Sequence, residues 1–296
     1  MIVKALMGFC LLFVFSLSTV SCTKKEEVER NRLKVVTSLF PFYDFAKNIG
    51  RENVELSLLL PPGVEPHSFE PTPEDIKKIA EGDIFIYTNK AMEPWIDDVL
   101  KGIENKDLAV IDSSSGITFM DADPHIWLDF LNAQKAVDNI LDGFLRKDPK
   151  NKDFYTKNAE DYKARLDELD RDFKIGLSDC RKDTFIHAGH FAFNYLTKRY
   201  NIEYLSAYGT APDSEPTPKR LMLLLKKTKE LGIKHICYEE LIKPEIANVL
   251  SKETGAELVM LHAGHNITRE EMDNGITFIT LMRENLKNLR IALQCR

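Results

Sequence analysis

The chain lacks an excess of positive charge. Its 40 lysines and arginines are outnumbered by 46 aspartates and glutamates, which gives a net charge of -6 at pH 7. A protein that binds nucleic acid through its phosphates needs a basic patch or stripe, and this composition offers none. With 44% hydrophobic and 29% charged residues, the composition is typical of a globular protein. We therefore exclude nucleic acid as a partner.

Long hydrophobic runs are absent beyond the amino terminus. The first stretch carries Lys4 as its only charge, then a short apolar run and small residues up to Cys22. It is too short for a membrane-spanning helix and predicts a secretory signal peptide over residues 1–21. Because Thr19-Val20-Ser21-Cys22 is similar to a bacterial lipoprotein cleavage site, we expect a lipidated Cys22 and a solvated tether over 22–32. Ordinary secretion with a free Cys22 is the alternative.

Cysteine is scarce in the exported part of the chain. Without Cys10 and Cys22, which lie in the signal or at its end, three of the five cysteines remain, namely Cys180, Cys237 and Cys295. In an exported protein an odd number permits one disulfide and one leftover thiol, and sequence alone does not fix the pairing. We expect a disulfide between Cys237 and Cys295, because both fall in the C-terminal half. Three unpaired buried thiols are the alternative.

Apolar runs alternate with helical periodicity along the mature chain, which predicts an α/β fold with mainly parallel sheets. The tetrapeptide Glu-Pro-Thr-Pro occurs at residues 70–73 and again at 215–218. Thr is a good N-cap and Pro a good first helical residue, so each copy predicts a helix start. We therefore predict two similar lobes, an N-terminal one over 33–148 and a C-terminal one over 180–296.

The segment between the lobes, residues 149–179, has no strand pattern and is dense in charge. Apolar residues recur in it at intervals close to three and four, at Phe154, Tyr162, Leu166, Leu169 and Phe173. One helix of this length would span roughly 40 Å at 1.5 Å per residue. We expect a rigid connecting helix that runs along both lobes; two shorter helices are the alternative.

Four of the seven histidines each follow a predicted strand, in a loop or at a helix start: His67, His125, His190 and His265. In open α/β sheets, ligands bind beyond the carboxyl ends of the strands. Since two histidines come from each lobe, we expect a site in the cleft between the lobes. Imidazole suits Zn²⁺, Cu²⁺, Ni²⁺ or Fe²⁺, whereas Mn²⁺, Mg²⁺ and Ca²⁺ sites favour oxygen. Four nitrogens therefore favour a tetrahedral zinc site.

The other histidines need a separate interpretation. His187 and His262 each precede a chosen ligand by three residues and compete with it for the metal. His235 lies inside a predicted strand, and we interpret it as structural.

Four segments carry a family resemblance. They are Leu60–Pro73 (LPPGVEPHSFEPTP), Asp123–Asp129 (DPHIWLD), His190–Tyr195 (HFAFNY) followed by Arg199-Tyr200, and Tyr238-Glu239-Glu240. With these segments in this order, the chain resembles the zinc- and manganese-binding solute-binding proteins that serve ABC importers. The resemblance covers essentially the whole mature chain. It implies two α/β lobes joined by a long helix, with the metal bound in the cleft between them.

The resemblance also implies a ligand set. His67, His125 and His190 stand where the family has its first three ligands. Members that favour manganese tend to have Glu at the third position, so His190 favours zinc. The family usually has Asp or Glu as its last ligand, in the loop after the final strand. Aligning that loop backward from the last helix puts His265 at this position, with His262 as the alternative.

One further departure from the family concerns the segment between the first two ligands. Many zinc members carry a long His-rich loop there, whereas residues 108–124 of this chain contain no histidine. If that loop gathers metal elsewhere in the family, this protein does without it.

The function implied is that of a monomeric, lipid-anchored protein facing the periplasm or cell surface, which captures Zn²⁺ and delivers it to an ABC permease. A manganese or iron protein of the same fold is one alternative, and a metal-independent surface adhesin lipoprotein is another. A zinc hydrolase would need an open coordination position and a general base. Glu65 and Glu239 are available, but no His-Glu-x-x-His motif occurs and four protein ligands would close the site. We therefore expect no enzymatic activity.

Overall fold

A computed structural model describes residues 32–121, 123–210, 216–240 and 244–296. The predicted signal peptide, Cys22 and nearly all of the predicted tether lie outside these residues. Within the described part of the chain, no helix is both long and apolar enough to cross a membrane.

The N-terminal lobe is built on a four-stranded parallel sheet with the strand order β2-β1-β3-β4. Its elements are β1 (Leu33–Thr37), α1 (Phe40–Gly50), β2 (Val54–Leu58), α2 (Pro73–Ala80), β3 (Ile84–Tyr87), α3 (Ile96–Lys101), β4 (Ala109–Asp112) and α4 (Phe130–Lys147). In β3, Ile84 and Ile86 face the central core, whereas Phe85 and Tyr87 face an outer cluster. Burial on both faces explains why this strand is a continuous apolar run.

The C-terminal lobe repeats the same topology in a second four-stranded parallel sheet, with the order β6-β5-β7-β8. After the connecting helix α5 (Lys152–Gly176), its elements are β5 (Thr184–His187), α6 (Asn194–Arg199), β6 (Glu203–Ser206), α7 (Pro218–Glu230), β7 (His235–Glu239), α8 (Glu245–Thr254), β8 (Glu257–Leu261), α9 (Arg269–Asp273) and α10 (Phe278–Ala292). The prediction of two similar α/β lobes with parallel sheets is confirmed.

The connecting helix α5 is unbroken over 25 residues. The predicted apolar stripe is buried from Tyr162 to Phe173, while Phe154 is only half-buried and its neighbour Tyr155 takes the buried position. One hydrophobic cluster contains this stripe together with core residues of both lobes. Because both lobes share a core with α5, the helix acts as a rigid connector.

Hydrogen bonds also tie α5 to each lobe. The Tyr162 hydroxyl donates to the Asp44 carboxylate in α1 at 2.8 Å. Near the other end of α5, Asp170 accepts two hydrogen bonds from Arg199 at 2.6 and 2.8 Å and one from the Tyr200 hydroxyl at 2.7 Å. The Arg199 guanidinium counteracts the burial of this carboxylate and holds the pKa of Asp170 far below its usual range.

The Thr-Pro pair of each Glu-Pro-Thr-Pro copy lies at a helix start. Thr72 caps α2 by accepting a hydrogen bond from the Asp75 backbone, and Asp75 completes a capping box. Thr217 caps α7 by accepting from the Arg220 backbone. Each Thr-Pro pair therefore gives the N-cap and first helical residue that the sequence predicts.

The disulfide prediction was wrong. Cys180 bonds to Cys295, and Cys237 is a buried free thiol. Cys237 lies in β7 between β5 and β8, where its side chain is fully buried. Cys180 and Cys295 instead meet in an isolated antiparallel bridge, because the chain leaving α10 returns beside the chain leaving α5.

Two helix boundaries bear on the C-terminal lobe. Helix α6 begins only at Asn194, so His190 lies in a loop and not at a helix start. A turn with Gly275 at a φ of 68° separates α9 from α10. A glycine tolerates this left-handed conformation at low cost.

Candidate metal centre

Four imidazoles from four different loops meet in the cleft between the lobes. They belong to His67, His125, His190 and His265, and one ring nitrogen of each lies within 4.8 Å of the others. No carboxylate oxygen belongs to this group. Three of the rings are buried and His67 is half-buried, so the cluster is reached from solvent on the His67 side.

The spacing of the nitrogens fits a tetrahedral metal ion. The Nε2 atom of His125 lies 3.2 Å from Nε2 of His67 and 3.0 Å from Nε2 of His190. Ligand nitrogens about 2.05 Å from a tetrahedral zinc ion would stand about 3.3 Å apart. These three rings are therefore close to the separation that such an ion requires.

Each histidine follows the carboxyl end of a parallel strand. His67 lies in the loop after β2 and His125 in the loop after β4. His190 follows β5 by three residues, and His265 follows β8 by four. Since both sheets direct these strand ends into the cleft, residues far apart in sequence come together.

Buried carboxylates hold two of the rings from behind. Nδ1 of His125 lies 2.6 Å from Oδ1 of Asp123, and Nδ1 of His190 lies 2.6 Å from Oε2 of Glu239. Glu239 also accepts the backbone N–H of His190 through Oε1 at 2.7 Å. A histidine that donates its Nδ1 proton to a carboxylate directs the Nε2 lone pair elsewhere, here toward the centre of the cluster.

Burial controls the protonation of three of these rings. It lowers the pKa of His67 to about 3 and holds the pKa values of His125 and His265 well below the usual histidine value. His190 differs: burial alone would lower its pKa, but the adjacent Glu239 carboxylate raises it above the usual value. At neutral pH, His67, His125 and His265 are therefore neutral and can donate lone pairs to a metal.

The loop that carries His265 is fixed by its neighbours. The indole Nε1–H of Trp127 donates to the Ala263 carbonyl at 2.9 Å. Gly264 has a φ of 77°, which permits the turn before His265. The ring of His265 then stacks on His190, with centroids 5.4 Å apart and an interplanar angle of 8°.

His262, the alternative fourth ligand, is not in the cluster. Its Nδ1 accepts the backbone N–H of Gly264 at 2.9 Å, so that lone pair is occupied. Its Nε2 lies 3.8 Å from Oε1 of Glu271. The structure therefore brings His265 rather than His262 to the other three imidazoles.

The two remaining histidines also lie apart from the cluster. Nδ1 of His187 is 3.1 Å from both the His190 carbonyl and the Tyr204 hydroxyl, so His187 supports the His190 loop from behind. His235 lies at the start of β7, 3.7 Å from Glu257. Its position in a strand matches the structural interpretation.

The N-terminal lobe and the His265 loop are joined by hydrogen bonds. Asn266 is fully buried, and its Nδ2 donates to the carbonyls of Pro61 and Val64 at 2.8 and 2.7 Å. Gly63 donates its backbone N–H to the Ile267 carbonyl at 2.8 Å. The loop that presents His67 and the loop that presents His265 therefore hold each other.

Sequence reasoning missed the carboxylates behind the histidines. Asp123 and Glu239 lie in the segments that carry the resemblance, and Glu239 is also available as a general base, but the sequence assigns neither of them a contact with a histidine. Glu239 and Glu240 stand at the end of β7, so the strand-end argument that selects the histidines selects them too. Which carboxylate contacts which ring depends on side-chain geometry, for which the sequence carries no signal.

Comparisons with known proteins identify the family of the chain. Residues 35–292 match the family described as zinc-uptake complex component A, periplasmic (ZnuA). The chain is 33% identical to the high-affinity zinc uptake system protein ZnuA of Bacillus subtilis (strain 168), over 96% of this chain and 95% of that protein. It is 32% identical to the zinc-binding protein AdcA of Streptococcus pyogenes serotype M18 (strain MGAS8232), over 90% of this chain but 57% of that protein.

A solved structure extends the likeness to three dimensions. The Zn(II)-bound ZnuA-like domain of Streptococcus pneumoniae AdcA matches with a TM-score of 0.79 and 33% identity, covering 88% of this chain and 99% of that one. The family match spans nearly all of both lobes and the connecting helix. The chain therefore belongs to the ZnuA family of periplasmic zinc-uptake components.

Proposed function

We propose that this protein captures Zn²⁺ outside the cytoplasm and delivers it to the permease of an ABC importer. The observation that carries the proposal is the all-imidazole cluster of His67, His125, His190 and His265 in the cleft. Family membership supports the transport role, since the relatives named above are zinc-uptake and zinc-binding proteins.

Zinc fits this donor set better than manganese or iron. Four neutral nitrogens suit a borderline ion with tetrahedral preference, whereas Mn²⁺ favours carboxylate and water oxygens. The carboxylates of Asp123 and Glu239 are engaged behind the rings rather than among the ligand atoms. Manganese and iron remain the alternative cargoes within the same fold.

A capture role also agrees with the closure of the site. Catalytic zinc sites use three protein ligands and leave a position open for water or substrate. Four imidazoles fill a tetrahedral shell, so no water on the ion is left to attack a substrate. We therefore propose that the protein is not an enzyme.

Isothermal titration of the metal-stripped protein with Zn²⁺ tests the site. His67→Ala, His125→Ala and His265→Ala should each weaken zinc binding by a factor of ten or more, since each removes one ligand. His262→Ala and His235→Ala are matched controls and should change the affinity little, because neither ring lies in the cluster. Unchanged affinity in the three cluster variants would refute the assignment.

Competition between metals tests the cargo. With Zn²⁺, Mn²⁺ and Fe²⁺ at equal free concentrations, elemental analysis of the recovered protein should find zinc. Manganese or iron in its place would identify the other cargo, and a protein that retains no metal would favour the metal-independent adhesin.

We further propose that Cys22 is lipidated and that the protein works as a monomer on the membrane. Labelling of cells with a palmitate analogue should mark the wild-type protein and not Cys22→Ser. Sedimentation of the mature chain should give the mass of one copy with or without Zn²⁺. A label retained by Cys22→Ser would contradict the anchor.

A further inference from the structure

The imidazole of His265 is buried, yet it has no hydrogen-bond partner among the described residues. Neither Nδ1 nor Nε2 forms a hydrogen bond within that part of the chain, and the side chain is only 5% exposed. Buried polar atoms normally have a partner, so two unsatisfied nitrogens require an explanation. The metal site accounts for one of the two nitrogens and leaves the other without an assigned partner.

Glu240 faces that nitrogen. Its Oε1 atom also forms no hydrogen bond with any residue that the structure describes, its side chain is 4% exposed, and Oε1 lies 3.9 Å from Nδ1 of His265. The other oxygen, Oε2, accepts the backbone N–H of Ala263 at 3.1 Å, two residues before His265. The carboxylate is therefore already attached to the loop that carries the ligand.

The competing donor for this oxygen is His262. Its Nδ1 lies 3.2 Å from Oε1 of Glu240. The same Nδ1 accepts the backbone N–H of Gly264, however, so it carries no proton to donate in that arrangement. His262 then keeps its proton on Nε2, on the side of Glu271. Oε1 of Glu240 remains available to His265.

Two other imidazoles of the cluster each have a carboxylate beside Nδ1. Asp123 stands behind His125 and Glu239 stands behind His190, each 2.6 Å from Nδ1. We propose that Glu240 is the positioning residue for His265: when the metal binds, Nδ1–H of His265 donates to Oε1 of Glu240, which turns Nε2 toward the ion. The adjacent residues Glu239 and Glu240, at the end of one strand, thereby orient ligands from two different loops.

The movement required is small. A nitrogen–oxygen distance of 3.9 Å must shorten by about 1 Å to reach ordinary hydrogen-bond length. A shift of the His265 imidazole toward Glu240 supplies this change and leaves the hydrogen bond from Ala263 to Glu240 in place. The stacked ring of His190 restricts His265 to its own plane, so the adjustment lies within that plane.

This inference rests on the proposed zinc site, and a double-mutant cycle separates the two. Glu240→Gln should weaken zinc binding by about 10–100-fold in the otherwise unchanged mature protein, which is the usual effect of losing such a carboxylate. In the His265→Ala background the same substitution should change the affinity less than twofold, because the ring that it positions is gone. Glu271→Gln is the matched control, since Glu271 faces His262 and not His265.

A spectroscopic readout distinguishes positioning from general stability. With Co²⁺ in place of Zn²⁺, Glu240→Gln should alter the visible absorption of the bound ion, whereas Glu271→Gln should leave it as in the wild type. If Glu240→Gln does not fold, Glu240→Asp replaces it in the cycle. That variant keeps the carboxylate but retracts it, so it should show a smaller loss of affinity, again dependent on His265.

The outcomes are distinct. A wild-type protein without zinc affinity would refute the proposed function itself. Zinc binding that depends on His265 but is unchanged in Glu240→Gln would overturn the role of Glu240 alone. An equal loss of affinity with and without His265 would also overturn it, because the effect would then not pass through that ring.

Discussion

Removal of the Asn266 side chain should accelerate the release of zinc. Asn266 joins the two loops that carry His67 and His265, through hydrogen bonds to the carbonyls of Pro61 and Val64. If the ion leaves when these loops part, both hydrogen bonds must break before or during release. Asn266→Ala removes them without touching a proposed ligand.

The size of the effect follows from those two bonds. A hydrogen bond contributes about 0.5–1.5 kcal/mol net, so the pair contributes about 1–3 kcal/mol. Taking the middle of that range, a loss of about 2 kcal/mol from the release barrier corresponds to a rate increase of about 30-fold. The association rate should change much less, because affinity differences between related complexes lie mostly in dissociation.

Stopped-flow mixing of the zinc-loaded protein with a fluorescent chelator measures the release rate. Asn288→Ala is the matched control, because Asn288 also donates one amide hydrogen bond, to the Met260 carbonyl at 3.0 Å, but within the C-terminal lobe. It should release zinc at the wild-type rate. A release rate for Asn266→Ala within twofold of the control would refute the idea that the loops must part.

Three further predictions follow from the titrating groups and the disulfide. Zinc binding near neutral pH should release one to two protons rather than four, because His190 has a raised pKa and the pKa of Asp123 is about 7, while His67 is already neutral. Calorimetry in buffers of different ionisation enthalpy counts the protons, and three or four would contradict this. For the metal-free protein, burial lowers the pKa of His67 from its ordinary value of 6.5 to about 3 on folding, so the unfolded chain binds the extra proton between these values. Stability should therefore decrease by about 1.4 kcal/mol per pH unit for each such histidine as the pH falls through this window, as urea unfolding can measure. Replacing Cys180 and Cys295 by serine opens a loop with a sequence separation of 115. On chain entropy this should lower the free energy of unfolding by up to about 5 kcal/mol, and zinc affinity should not change. A decrease below about 1 kcal/mol would contradict that account.

The histidines could be found from the sequence because their placement depends on topology alone. In parallel sheets the carboxyl ends of the strands share one edge, so any loop leaving that edge contributes to the same cleft. This rule places His67, His125, His190 and His265 together without knowledge of a single side-chain angle. Both lobes have the same strand order, so the rule applies to each of them.

The disulfide and the carboxylate contacts could not be found in this way. The pairing of Cys180 with Cys295 depends on α10 packing back along α5, where the Arg290 guanidinium donates to the Gly176 carbonyl at 2.7 Å. That contact links residues more than a hundred positions apart in sequence. The match of Asp123 to His125 and of Glu239 to His190 is likewise a matter of side-chain orientation. The local sequence pattern encodes neither the disulfide pairing nor these carboxylate–histidine contacts.

The arrangement of charge explains how a site with only neutral donors can hold a dication in a buried cleft. Four imidazoles bring no negative charge to the ion, and burial of an uncompensated charge is costly. Asp123 and Glu239 stand directly behind two of the ligands, and burial raises the pKa of Asp123 to about 7 while no metal is present. A bound Zn²⁺ would favour ionisation of Asp123, and with Glu239 already ionised beside His190 both carboxylates would neutralise the ion through the rings. The proposed ligand atoms thus favour a nitrogen-preferring metal, while the carboxylates behind them supply the charge that keeps it bound.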